Sequence, residues 1–126
     1  NFGCLLLYLA LLTTCPVVVA EYCFSARSAE MLSQLQEDMA LLYMLESHAL
    51  TAQVHTIQSA LWSSALARGA GASHTLIAAY ALEHHQTVVT CDRDFVHISR
   101  AIKRAQTNQR LYVLAITGDM APITSA

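Results

Sequence analysis

From Gly71 to Ser99 the chain reads GASHTLIAAYALEHHQTVVTCDRDFVHIS, and hydrophobic period, turn chemistry and acidic clustering all change within these residues. Ser73 is a good N-cap, and Leu76, Ile77, Tyr80 and Ala81 recur at helical spacing, which predicts a short, largely buried helix to about His84. Thr87-Val88-Val89-Thr90 is a β-branched run between polar residues, the pattern of a buried parallel strand when helices flank it. Asp92 and Asp94 follow at once, then Phe95, Ile98 and Ile102 at the spacing of another helix. Two carboxylates therefore fall at the carboxyl end of a parallel strand, where open α/β sheets place their ligands.

Upstream, Cys4 to Leu12 is the apolar run CLLLYLALL, and residues 4–14 are read as the end of a core helix and a short strand. With TTCPVVVA after it, the run also resembles a signal-peptide h-region with Ala20 at a cleavage point, although no Lys or Arg precedes it. Thr13, Thr14 and Pro16 interrupt it well short of the ~20 residues a spanning helix needs. Pro16 opens a helix over residues 17–25, since its fixed φ and missing N–H suit the first helical position. Ser28 caps a helix through Asp38 with Met31, Leu32 and Leu35 inward, and residues 40–45, ALLYML, fit a buried strand. Ser47 begins the longest helix, with Leu50, Val54, Ile57, Leu61, Trp62, Ala65 and Leu66 on its apolar side and Gly69 and Gly71 ending it. Downstream, Phe95 to Arg104 is helical, Leu111 to Ile116 is the last strand, and residues 117–126 form a loose tail.

This order of elements is that of an α/β protein, a three-layer α/β/α arrangement around a mostly parallel central sheet. With 126 residues the chain makes a single domain, 1–126, with its core over about 10–116. Hydrophobic residues at 55% against 13% charged exclude disorder and call for packing on both faces or a partner surface. A net charge of -2 excludes binding through bulk positive charge, so nucleic-acid contact needs a local basic patch. Cys4, Cys15, Cys23 and Cys91 form no C-x-x-C pair and have no His at zinc-finger spacing, which points to buried free thiols of a cytoplasmic protein.

The central stretch resembles the closing half of a PIN domain, the nuclease fold of the VapC toxins of bacterial toxin-antitoxin pairs. That family shows D-x-L-I-A-A-x-A, a short linker, a strand and T-x-D-x-D-F. Residues 74–81, HTLIAAYA, and 90–95, TCDRDF, follow that order and spacing, with His74 where the family has Asp. Residues 16–21, PVVVAE, resemble the family's acidic segment P-V-V-x-A-E. The likeness covers about residues 10–116. The family's first strand, bearing D-T-S or D-T-N, is missing: no Asp occurs before Asp38. The expectation is an N-terminally incomplete chain or a decayed domain.

The resemblance implies a metal-dependent endoribonuclease in which metal-activated water cleaves an RNA phosphodiester to leave a 5′-phosphate. It further implies Mg²⁺ or Mn²⁺, an RNA substrate, a cognate antitoxin, a homodimer, no membrane association and a cytoplasmic location. Glu21, Asp92 and Asp94 are then the candidate catalytic carboxylates, and together with His74 the candidate metal ligands. The chemistry agrees, since phosphodiester hydrolysis wants a hard divalent cation and a few converging carboxylates are enough to hold Mg²⁺. An imidazole suits Mn²⁺ better than Mg²⁺, and His74 is equally readable as an ordinary first-turn helix residue. Glu21 is a ligand or an exposed helix residue, and Asp94 a ligand or a helix cap. Thr90 hydrogen-bonds a carboxylate or a phosphate. Arg93, Arg100, Lys103 and Arg104, with Arg110, place five of the seven basic residues near this edge, as an RNA-contacting surface or a solvated helix face. A catalytically silent PIN module that binds antitoxin or RNA, and a secreted protein, stand as alternatives.

Overall fold

The structure, a computed structural model, describes residues 4–8, 11–46, 50–66 and 68–116. Its elements are β1 (Cys4–Tyr8), β2 (Leu11–Thr14), α1 (Pro16–Phe24), α2 (Ala29–Ala40), β3 (Tyr43–Met44), α3 (Leu50–Ser63), α4 (Ala72–Glu83), β4 (Thr87–Thr90), α5 (Asp94–Arg104) and β5 (Tyr112–Ala115). From β2 onward this is the order expected from the hydrophobic pattern. The strands form one sheet in the order β3-β2-β1-β4-β5. β2 pairs parallel with β3 and β4 parallel with β5, while β1 pairs antiparallel with both β2 and β4. Four strands thus run one way and the central one runs against them.

The two parallel crossovers travel in opposite directions along the sheet, β2 to β3 one way and β4 to β5 the other. With the right-handed sense of such crossovers, α1 and α2 cover one face and α5 the other, giving the α/β/α layering. α3 and α4 pack with α5. α5 shows why: Phe95, Ile98, Ala101 and Ile102 are buried at three- and four-residue spacing, and Arg100, Lys103 and Arg104 lie off that stripe. α4 is apolar almost all round, with Thr75, Ile77, Ala78, Ala79, Ala81 and Leu82 buried, as suits a helix packed against α1, α3 and α5. Val88 of β4 and Leu6 of β1 complete the core, both fully buried.

Several expectations are corrected. The run from Cys4 forms two strands, not a helix end and a strand, because a short apolar run has no period by which the two can be told apart. The same run, resembling an h-region, is built into the middle of the sheet. α4 begins at Ala72 behind Gly71, so Ser73 lies inside the first turn and does not cap it. Ser28 does cap α2, its Oγ accepting the Met31 amide at 3.0 Å, but the buried residues are Leu35 and Met39, with Met31 and Leu32 exposed. β3 is shorter than residues 40–45 because α2 runs on to Ala40.

α3 ends at Ser63, well before Gly69. Ala65 takes a left-handed φ of 60°, the Leu66 amide donates to the Leu61 carbonyl and the Ala65 amide to the Trp62 carbonyl. That is a Schellman stop carried by an alanine where glycine is usual. In this register Leu61 is buried and Trp62 is turned out, 73% exposed. The expected start at Ser47 and the tail from 117 lie outside the described residues. Among the described residues no helix is long and apolar enough to cross a membrane.

Candidate metal centre

The carboxyl edge of β4 is shaped by two consecutive side-chain turns. Thr90 Oγ1 accepts the Asp92 amide at 2.9 Å, and Asp92 Oδ1 accepts the Asp94 amide at 2.9 Å. Short polar side chains that accept from the backbone two residues on reverse a chain without glycine. Here they start α5 and lift two carboxylates out of the sheet. The N-cap position of α5 is Arg93, which makes no side-chain cap; the Asp92 carboxylate one residue earlier holds the Asp94 amide at the helix start, and the Asp94 side chain is free of that task.

Asp94 turns instead toward α4. Its Oδ2 lies 2.8 Å from His74 Nδ1 and accepts the Gly71 amide at 3.5 Å. Asp92 Oδ2 stands 3.6 Å from the same His74 nitrogen. On the other side of the ring, Nε2 faces Glu21 Oε2 of α1 at 3.8 Å. The imidazole rests against Phe95, ring centroids 4.9 Å apart, so a core residue of α5 fixes its height above the sheet. Three elements, α1, α4 and the β4–α5 turn, thus deliver Glu21, His74, Asp92 and Asp94 to one place. His74 is the most enclosed of the four, and the carboxylates are open to solvent on one side.

The donor set suits a divalent cation. One ligand atom each from His74, Asp92 and Asp94 lies within 4.8 Å of the others. Donors around a small cation at about 2.1 Å stand about 3 Å apart when adjacent and about 4 Å when opposite, so little movement separates this cluster from a ligand shell. Glu21 lies across the imidazole from the two aspartates, at the rim of the cluster rather than inside it.

The other candidates divide by position. Thr90 is buried, and its hydroxyl serves the Asp92 backbone, so it shapes the turn from within. Arg93 is exposed between the two aspartates in sequence. α5 then runs back along the sheet, at about 1.5 Å per residue. Arg100 is about 9 Å along it, and Lys103 and Arg104 stand at the far edge, where β5 begins beside Thr87. Arg110 is held in the turn there by the Thr107 and Gln109 carbonyls. The basic surface expected beside the carboxylates is therefore reduced to Arg93: nearness in sequence is undone by a helix that travels away.

Cys15, directly before α1, is buried, and burial pushes its thiol up from the ordinary 9.0. It is an inert core group. A feature that sequence reasoning missed is an open cavity of about 470 Å³ lined by Trp62, Arg68, Ala70, Gly71 and Ala72. Part of the signal was present: successive residues on a helix are turned about 100° apart, so with Ile57, Ala60 and Leu61 on the buried stripe of α3 Trp62 falls at its edge.

A protein-family model described as PIN domain matches residues 6–101, more than half of the chain. Comparison with curated proteins gives no match.

Proposed function

Because the chain belongs to the PIN domain family, whose members are in general metal-dependent nucleases, we propose that it is an endoribonuclease of the VapC toxin type. The observation that carries this is the convergence of Glu21, His74, Asp92 and Asp94 from three elements on the carboxyl edge of β4. Such an edge is where α/β sheets bind ligands.

Asp92 and Asp94 supply hard oxygen donors, and His74, standing where the family pattern has Asp, supplies a nitrogen donor. That set holds Mn²⁺ more readily than Mg²⁺. A divalent cation held by His74, Asp92 and Asp94 would neutralise the phosphate and make a water more acidic. Glu21 Oε2, at the open rim, takes the proton released by the attacking water, and Arg93 steadies a phosphate oxygen. Thr90 keeps Asp92 in place, and Phe95 keeps His74 upright.

Exposed apolar side chains on the α1–α2–β3 side support the partner part of the proposal. Phe24 is 90% exposed, Leu41 85% and Tyr43 65%. Residues of this kind are covered when a second copy or an antitoxin docks. The protein then works in the cytoplasm beside its antitoxin.

One observation favours a second possibility, the silent module. The imidazole occupies the space between Glu21 and the two aspartates and already satisfies Asp94. Cleavage of a structured RNA by the unmodified chain and by His74→Asp, with Mg²⁺, Mn²⁺ or EDTA, separates the two. EDTA-sensitive cleavage by the unmodified chain supports the nuclease. Silence with recovery in His74→Asp marks a decayed one, and silence in both leaves a binding module.

A further inference from the structure

Trp62 is the only tryptophan in the chain and stands 73% exposed at the end of α3. A large aromatic side chain left in water is informative when it lines a cavity with polar groups. Trp62 does so with Arg68, which is exposed and makes no ion pair among the described residues. The cavity, at about 470 Å³, lies within the range of small-ligand sites. Its wall includes Gly71, and a Cβ added there meets nothing within 4 Å, so the space above this residue is open. The same Gly71 donates its amide to Asp94 Oδ2, so the cavity and the carboxylate cluster share a wall.

From this juxtaposition we propose that Trp62 and Arg68 form a subsite for one nucleotide of single-stranded RNA, the base stacked on Trp62 and its phosphate held by Arg68. The subsite rests on the ribonuclease proposal and names its substrate as unpaired RNA whose strand runs from this cavity across Gly71 to the carboxylates. Stacking is the recognition this chain can provide. With a net charge of -2, and with Lys103 and Arg104 at the far edge of the sheet, a broad electrostatic track is absent from this edge among the described residues. Aromatic faces bind unpaired bases without a specific sequence, whereas a duplex hides those faces. With Arg68 and Arg93 as the two phosphate contacts, binding should weaken with salt at a slope of only about -1.4 in log–log terms.

The test uses the full chain in EDTA, so that no cleavage occurs, and titrates it with an eight-nucleotide oligoadenylate while tryptophan emission is read. Saturable quenching is expected, with none from a blunt RNA duplex. Trp62→Ala and Arg68→Ala should each weaken binding of end-labelled oligoadenylate, read by anisotropy, about ten-fold, and Trp62→Phe should keep most of it. Circular dichroism confirms that the variants are folded. Unquenched emission, or equal affinity in Trp62→Ala, overturns the subsite. Quenching without metal-dependent cleavage keeps the subsite and removes the nuclease. Metal-dependent cleavage with an unchanged KM in Trp62→Ala does the reverse.

Discussion

His74 Nδ1 lies 2.8 Å from Asp94 Oδ2, and its other ring nitrogen faces Glu21 at 3.8 Å. A single imidazole therefore stands between carboxylates that could otherwise act together on a cation. Replacing it with a shorter carboxylate adds a hard donor and clears the space. His74→Asp should bind Mg²⁺ about ten-fold tighter by calorimetry, while the unmodified chain favours Mn²⁺. Equal Mg²⁺ affinities in the two proteins would show that His74 takes no part in the site.

Asp92 has two tasks that substitution can separate. Its Oδ1 accepts the Asp94 amide at the start of α5, and its Oδ2 faces the cluster. Asn caps a helix nearly as well as Asp but lacks the charge. Asp92→Asn should therefore keep the melting temperature and lose metal-dependent cleavage. Asp92→Ala should lose both, with a stability cost of about 1 kcal/mol measured by urea unfolding. An Asp92→Asn protein that cleaves normally would remove Asp92 from the chemistry.

Among the described residues, three non-glycine residues hold left-handed backbone after helices: Ala65, His85 and Gln106, with φ of 60°, 54° and 55°. Glycine bears that conformation without the Cβ clash, though it also loosens the unfolded chain. Ala65→Gly and Gln106→Gly should each stabilise the fold by roughly 0.5 to 1 kcal/mol in chemical denaturation. Destabilisation in both would mean that α3 and α5 end differently.

Burial holds the thiol of Cys15 above its ordinary 9.0 and the phenol of Tyr80 above its ordinary 10.0. As pH rises past 9, the unfolded chain gives up its Cys15 proton while the folded chain keeps it. The unfolded state then binds fewer protons, so stability is full below that pH and falls above it. Urea midpoints should drop between pH 8 and pH 10, and Cys15→Ala should show a shallower drop. Identical slopes in the two proteins would exclude this thiol as the cause.

Much of this was legible in the sequence because local chemistry and tertiary demand agree there. Residues 71–99 carry a helical period, a β-branched strand and two aspartates at its end, and the structure brings His74, Asp92 and Asp94 together. Pro16 and Ser28 start their helices as their chemistry dictates. What was not legible depends on direction in space. Asp92 and Asp94 read alike in D-x-D, and only the turn shows that the first holds the backbone at the helix start and the second faces His74. Lys103 and Arg104 are ten residues or so from the carboxylates along the chain, and a helix converts that into the opposite edge of the sheet. The strand at Cys4–Tyr8 has no alternation to reveal it, and its antiparallel sense depends on partners made later.

That central strand also governs the order of assembly. β3 with β2 and β4 with β5 are parallel pairs, and β1 is what joins the two pairs into one sheet. Cys4 pairs with Thr90 across most of the described chain, so closing this seam pays its loop entropy before any reward arrives. On a ribosome β1 must wait, apolar and unpaired on one side, until β4 has been made. Refolding should accordingly be slow for a domain of this size, and the interval before the seam closes is when the chain is most exposed to aggregation.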